Sequence, residues 1–84
     1  MSRRRYHWSQ IAAMARANPD VWRLHSDLVA VNLDLLHHAR RRVRVLRPTK
    51  DGRFEFARSN EGEDELGRTV FDLFVRYTQG EQEP

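Results

Sequence analysis

Eighty-four residues, 39% hydrophobic and 10% aromatic, make one domain, because a chain this short buries only about 60–65% of its unfolded surface. That is apolar material for a single two-layer core, with none left for a deep substrate cavity. The absence of cysteine excludes disulfides and thiolate zinc sites and points to a cytoplasmic product. No apolar run approaches the roughly 20 residues of a membrane span, and no signal-peptide hydrophobic region follows Arg3–Arg5, so no membrane partner is expected.

The net charge of +3 is unevenly distributed. Residues 1–60 hold thirteen Arg or Lys against five Asp or Glu, a surplus of +8, whereas residues 61–84 hold two against seven, or −5. A basic body with an acidic end reads as a polyanion-binding surface followed by a solubilising segment.

In chain order, residues 1–7 form a basic N-terminal arm expected to be disordered, with Arg3, Arg4 and Arg5 available to follow a nucleic-acid groove. Trp8–Ala17, WSQIAAMARA, is a predicted helix with Trp8, Ile11, Ala12 and Ala15 on one face. Asn18-Pro19-Asp20 ends it, since the residue before a proline is pushed out of the helical region. Val21–His25 alternates and reads as a short strand, with Trp22 assigned to the core.

The organising stretch is Ser26–Pro48, SDLVAVNLDLLHHARRRVRVLRP. Val29, Leu33 and Leu36 are spaced i, i+4, i+7, which predicts a core-facing helix with Ser26 as N-cap and Asp27 in its first turn. Arg40, Arg41 and Arg42 place cations beside the unpaired carbonyls of its last turn. From Val43 the period becomes two, predicting a strand with Val43 and Val45 on one side and Arg44 and Leu46 on the other, stopped by Pro48. Asp51-Gly52 is a turn dipeptide between two alternating runs and predicts a hairpin whose second strand is Arg53–Arg58.

Ser59–Gly67 reads as a flexible acidic loop. Thr69–Thr78 has Phe71, Leu73, Val75 and Tyr77 at period two and is assigned to a strand, although Val70, Phe74 and Tyr77 also fit a helical period. Residues 79–84 are expected to be a disordered acidic tail. The predicted fold is α+β, two helices packed on a small, mostly antiparallel sheet, in the order α-β-α-β-β-β over residues 8–78.

The segments WSQIAAMARANPDVWRL, RVRVLRPTKDGRFEFARSN and FDLFVRYT together resemble a family of small uncharacterised proteins encoded by bacteriophages of actinobacteria. In that pattern a Trp-led helix ends at Asn-Pro, Leu-Arg-Pro precedes a Gly-Arg-Phe-Glu strand, and an aromatic Arg-Tyr strand closes the domain. The resemblance spans Trp8–Thr78 and implies a fold and a phage accessory role in the host cytoplasm, without an activity. The family usually has glycine near the end of the central helix, where this chain has Arg40–Arg42.

The principal functional signal is Arg40, Arg41, Arg42, Arg44 and Arg47, supported by Lys50 and Arg53 and by the Arg3–Arg5 arm. Arginine binds phosphate bidentately, and each phosphate neutralised releases counterions. The central helix has too few exposed polar residues for a recognition helix, so backbone binding by the basic hairpin, acting as a wing or ribbon, is expected. DNA ranks ahead of RNA as partner. A host protein bound through the aromatics Trp22, Phe74 and Tyr6 or through the acidic loop is the alternative, and a homodimer sharing its core is a further partner.

No enzyme, metal or cofactor is expected. His37 and His38 are adjacent, about 100° apart on a helix, and cannot form an i, i+4 metal pair, while His7 and His25 lack ligand spacing. A small metal-independent ribonuclease would cast Arg53, Glu55, Arg76 and Tyr77 in its active site, and ranks last.

Overall fold

The computed structural model describes residues 6–80. The first helix, α1, spans Trp8–Ala17 as predicted and buries Ile11, Ala12 and Ala15. Asn18 closes it, its backbone N–H reaching the Ala15 carbonyl at 3.3 Å. Tyr6 and His7, assigned by sequence to the arm, are tied to the body. Tyr6 stacks on Trp8 with ring centroids 5.5 Å apart, and the backbone N–H and Nδ1 of His7 meet Asp27 Oδ2 at 2.8 and 2.9 Å. The rest of the arm, with Arg3, Arg4 and Arg5, and residues 81–84 of the tail lie outside the described residues.

Two long antiparallel strands, β1 (Gly52–Glu63) and β2 (Thr69–Gln79), form the only sheet among the described residues. Period-two alternation places Phe71, Leu73, Val75 and Tyr77 of β2 in the core, opposite Phe54 and Phe56 of β1. The strand assigned to Thr69–Thr78 is therefore present. Arg53, Glu55 and Ala57 of β1 share the outer face with Thr78, Arg76 and Phe74.

The segment before the second helix follows the other edge of β2 without becoming a strand. Asp20 N–H donates to Tyr77 O at 2.8 Å, Arg23 exchanges two hydrogen bonds with Val75, and Val31 does the same with Phe71. Between Arg23 and Val31 the chain advances eight residues while β2 retreats four, so the surplus is taken up in a 3-10 turn at Ser26–Leu28 that buries Leu28. The predicted strand Val21–His25 is thus reduced to a single bridge. Trp22, expected in the core, is 38% exposed, since Arg23 takes the paired position and its neighbour faces away.

The central helix does not start at Ser26. Val31 is held by Phe71 and Ala30 adopts φ 55°, a left-handed conformation that no helix accommodates. The second helix, α2, runs Leu33–Arg41, capped by Asn32, whose side-chain oxygen accepts from Leu35 N–H at 3.1 Å. It buries Leu36 and Ala39.

The strand predicted from Val43 is also absent. Arg44–Leu46 is a second 3-10 turn, and Val43 and Leu46, three apart, are buried together, matching three residues per turn. The predicted hairpin at Asp51-Gly52 consequently has no first strand. Thr49 and Gly52 instead exchange backbone hydrogen bonds at 2.8 and 3.2 Å in a tight turn leading into β1. Gly52 is required for close approach: a Cβ there would sit 2.5 Å from both the Thr78 carbonyl and the Tyr77 hydroxyl.

The true reversal lies at Asp64–Arg68, so half of the expected acidic loop is strand. Asp64 organises the turn, its Oδ1 accepting from Leu66 and Arg68 N–H, both at 2.9 Å. Gly67 takes φ 78°. A bulge between Ser59 and Gly62 includes Asn60 at φ 56°. Asp72 stabilises both irregular corners, accepting from Asn60 Nδ2 at 2.9 Å and from Ala30 N–H at 3.1 Å. The order is α-α-β-β with two 3-10 turns, a small α+β fold with fewer strands than expected. Its extents of 49 × 25 × 20 Å reflect a hairpin whose far end, from Arg58 to Thr69, is exposed apart from half-buried Asp64. Among the described residues no helix is long and apolar enough to cross a membrane.

Candidate nucleic-acid interface

From Leu35 to Lys50 the chain contains no carboxylate and six cations, Arg40, Arg41, Arg42, Arg44, Arg47 and Lys50. All six side chains are exposed. They are nonetheless carried on ordered backbone, because Leu36, Ala39, Val43 and Leu46 bury the other side of the same segment. Part of this charge serves the helix itself: cations in the last turn of α2 face unpaired carbonyls, worth about 0.3–1 kcal/mol each at the surface. That role requires one or two arginines, not six.

None of the six lies within ion-pair distance of a carboxylate among the described residues. The hairpin contrasts with this. Arg53 reaches Glu55 at 3.3 Å, Arg58 reaches Glu61 at 3.9 Å, and Arg68 reaches Asp64 at 2.9 Å. Arg76 holds Glu55 through Nε and a terminal nitrogen, and Thr78 Oγ1 donates to the same carboxylate at 3.1 Å. The Arg76 hydrogen bonds, followed by those of Thr78 and Arg53, hold the Glu55 carboxyl below its ordinary range. Arg53, assigned by sequence to the basic surface, therefore belongs to this paired outer face.

The basic segment borders three depressions. Arg41 and Arg42 line one with Asp34, His37 and His38 on the exposed side of α2. Lys50 and Arg53 line another beside Thr49 and Gly80. Arg40 lines the largest of the three, about 550 Å3, with Leu46, Pro48, Phe54, Phe56, Trp22, Glu55 and Arg76. Trp22 lies under the Arg76 guanidinium, 4.4 Å from its centroid. This arrangement was not anticipated from sequence; the available signal was Trp22 alternating with Arg23 beside the aromatic Phe54-Glu55-Phe56 run.

The expected basic hairpin is corrected. Arg44 begins the 3-10 turn and Arg47 follows its end, neither on a strand, and the real hairpin ends in Glu61, Glu63, Asp64 and Glu65, whose charge repels phosphate. Of the four residues cast as a ribonuclease site, Arg53, Glu55 and Arg76 meet on the outer face, whereas Tyr77 points into the core. Phe74 is half-buried on the outer face, and Tyr6 is packed against Trp8.

A separate cluster fixes the start of α1. Asp27 accepts from His7 as described, and its own N–H donates to His25 Nδ1 at 3.0 Å. The His7 backbone hydrogen bond is the main cause that holds the Asp27 carboxyl below its ordinary value. Trp8 lies beside His38, ring centroids 6.4 Å apart, so the N-terminal segment enters the body next to the Arg41–Arg42 side of α2.

No protein-family model matches the chain, and no curated protein and no solved structure shows significant similarity to it.

Proposed function

We propose that this chain is a small accessory protein that binds nucleic acid through the phosphate backbone. The contacts are Arg40, Arg41, Arg42, Arg44, Arg47 and Lys50, with Arg3–Arg5 added from the arm attached at Tyr6. The supporting observation is the six exposed cations without an ion-pair partner among the described residues, on a segment anchored by four buried side chains. Anchored arginines lose less conformational freedom on docking than a flexible tail does. The phage setting rests on the family resemblance alone.

The test is binding of the purified protein to a labelled random duplex and a labelled single strand across a salt series. Five or six phosphate contacts give a log–log slope of about −4.5 to −5.4 on the duplex and about −3.5 to −4.2 on the single strand, with a loss of roughly 10³ in duplex affinity between about 50 and about 200 mM salt. Combined Arg41→Glu, Arg42→Glu and Arg44→Glu should abolish binding. No binding of either polymer at low salt, or equal binding by the triple variant, overturns the reading.

A second reading, a module that binds a protein, draws on the opposite end of the molecule. There Leu66 is 75% exposed at the tip of an acidic projection. Binding of that kind would respond weakly to salt and strongly to Leu66.

A further inference from the structure

The proposed phosphate contacts do not distinguish duplex from single strand, but the largest depression does. Its apolar lining comes from Leu46, Pro48, Phe54 and half-buried Phe56. Arg40, the first cation of the basic segment, is part of the same lining. The volume of about 550 Å3 falls within the roughly 300–1,000 Å3 range of sites that hold a small organic group.

Its charge favours an anion. Glu55 is the one carboxylate lining the depression, and it is already bonded to Arg76, Arg53 and Thr78, so it offers no bare negative charge to an incoming phosphate. Strand alternation puts Glu55 and Arg76 on the outer face and Phe54 and Phe56 on the inner one. The lining therefore draws on both faces of β1, whose edge away from β2 is the open one, and on Trp22 from the segment beside β2. Among the described residues, no backbone hydrogen bond joins that edge beyond Gly52 to another segment. An extended, flexible strand can follow such a path, and a stiff duplex cannot.

We propose that this depression receives an unpaired base of single-stranded nucleic acid, with Phe56 as the stacking surface and Arg40 on the adjoining phosphate. The proposal rests on the backbone-binding reading above and adds the class of polymer. A base inside a duplex has both faces covered by its neighbours, whereas a base in a single strand has a free π-face, which aromatic side chains bind whatever the sequence. Aromatic rings beside a cationic track constitute the arrangement that selects single strands.

The experiment uses the full chain with a single-stranded oligonucleotide carrying 2-aminopurine at its centre, and with the matching duplex, at one salt concentration. The expected results are quenching of 2-aminopurine on binding and a preference for the single strand of roughly tenfold, within the range that one stacked base supplies. Phe56→Leu keeps an apolar side chain and removes the π-face; it should abolish the quenching and bring the two affinities together. Arg40→Gln, at an exposed position, should weaken the single strand more than the duplex. Equal affinities with no quenching in the unaltered protein, or variants that lower both polymers alike, overturn this proposal while leaving backbone binding intact. Failure to bind either polymer overturns both.

Discussion

The two ends of this molecule use arginine in opposite ways. At the helix end, Arg40 to Lys50 project from a segment whose other side is packed into the core, and no acid among the described residues answers them. At the far end of the hairpin, Arg58 on β1 and Arg68 in the turn are exposed, and each has a carboxylate partner, in Glu61 and Asp64 respectively. Packing decides whether a cation is held in place, and the local supply of carboxylates decides whether it is available. The number of arginines decides neither.

The greatest expected effect follows from the packing difference. Phe71 is 1% exposed and is held in the core by its bridge to Val31, so Phe71→Ala should cost about 3–5 kcal/mol. That is comparable with the whole stability of a domain this size, roughly 4–12 kcal/mol. Leu66→Ala at the hairpin tip should change stability by no more than about 0.5 kcal/mol. Denaturant melts of the two variants measure this, and comparable losses would mean that the hairpin tip is not the free arm described.

The charge difference gives the next effect. Replacing Arg41, Arg42 and Arg44 with Gln should lower nucleic-acid affinity by roughly 30- to 100-fold and reduce the magnitude of the salt slope by about 2.7, or 0.9 per phosphate contact. Replacing Arg58 and Arg68 with Gln should change affinity by less than about threefold, since those cations are already paired and their surroundings are acidic. Equal losses at the two ends would show that net charge, and not the unpaired segment, carries the binding.

The same contrast explains which features the sequence made legible. The helix Trp8–Ala17 and the strand from Thr69 were readable because local pattern and tertiary environment agree: one helical face and one strand face meet the core, and a proline marks the boundary. Between them local pattern misled. Val29, Leu33 and Leu36 keep helical spacing, yet pairing of Val31 with Phe71 breaks the run and leaves Val29 and Leu33 exposed. The Arg-Val alternation from Val43 suits a strand, but Val43 and Leu46 at a spacing of three suit a 3-10 turn equally, and core packing chose the latter. Asp51-Gly52 is a hairpin dipeptide by composition, whereas Gly52 is needed because nothing larger fits against Tyr77 and Thr78. The basic residues of the site were visible as a charge run; their lack of partners, and the depression beside Arg40, depend on pairings between residues distant in sequence.

The corrected start of α2 is itself testable within the body. Asn32→Ala removes the oxygen that accepts from Leu35 N–H and should cost about 1 kcal/mol, the usual value of an N-cap. Ser26→Ala, at the position where the helix would begin on sequence grounds, should fall within about 0.5 kcal/mol of the unaltered protein. The reverse ranking would restore the longer helix. Because α2 carries Arg40 and Arg41, the cap variant should also weaken nucleic-acid binding modestly.

The smallest effect separates the two ends by pH. Asp27 in the body and Asp64 in the hairpin turn both have carboxyls held below the ordinary aspartate value of 3.8, each mainly by a backbone N–H, from His7 and Arg68 respectively. A folded-state value below the unfolded one means that the ionised form favours folding. The contribution is whole above the ordinary value and is lost as the pH falls through the lowered one. Asp27 joins the start of α1 to the turn at Ser26–Leu28, so its protonation should lower the global melting temperature, and Asp27→Asn should flatten that part of the pH profile. Asp64 joins only residues of its own turn. Asp64→Asn should accelerate amide exchange at Leu66 and Arg68 and leave the melting temperature nearly unchanged, because local opening of the tip does not expose the core. A drop in melting temperature for Asp64→Asn as large as that for Asp27→Asn would show that the tip and the body unfold as one unit.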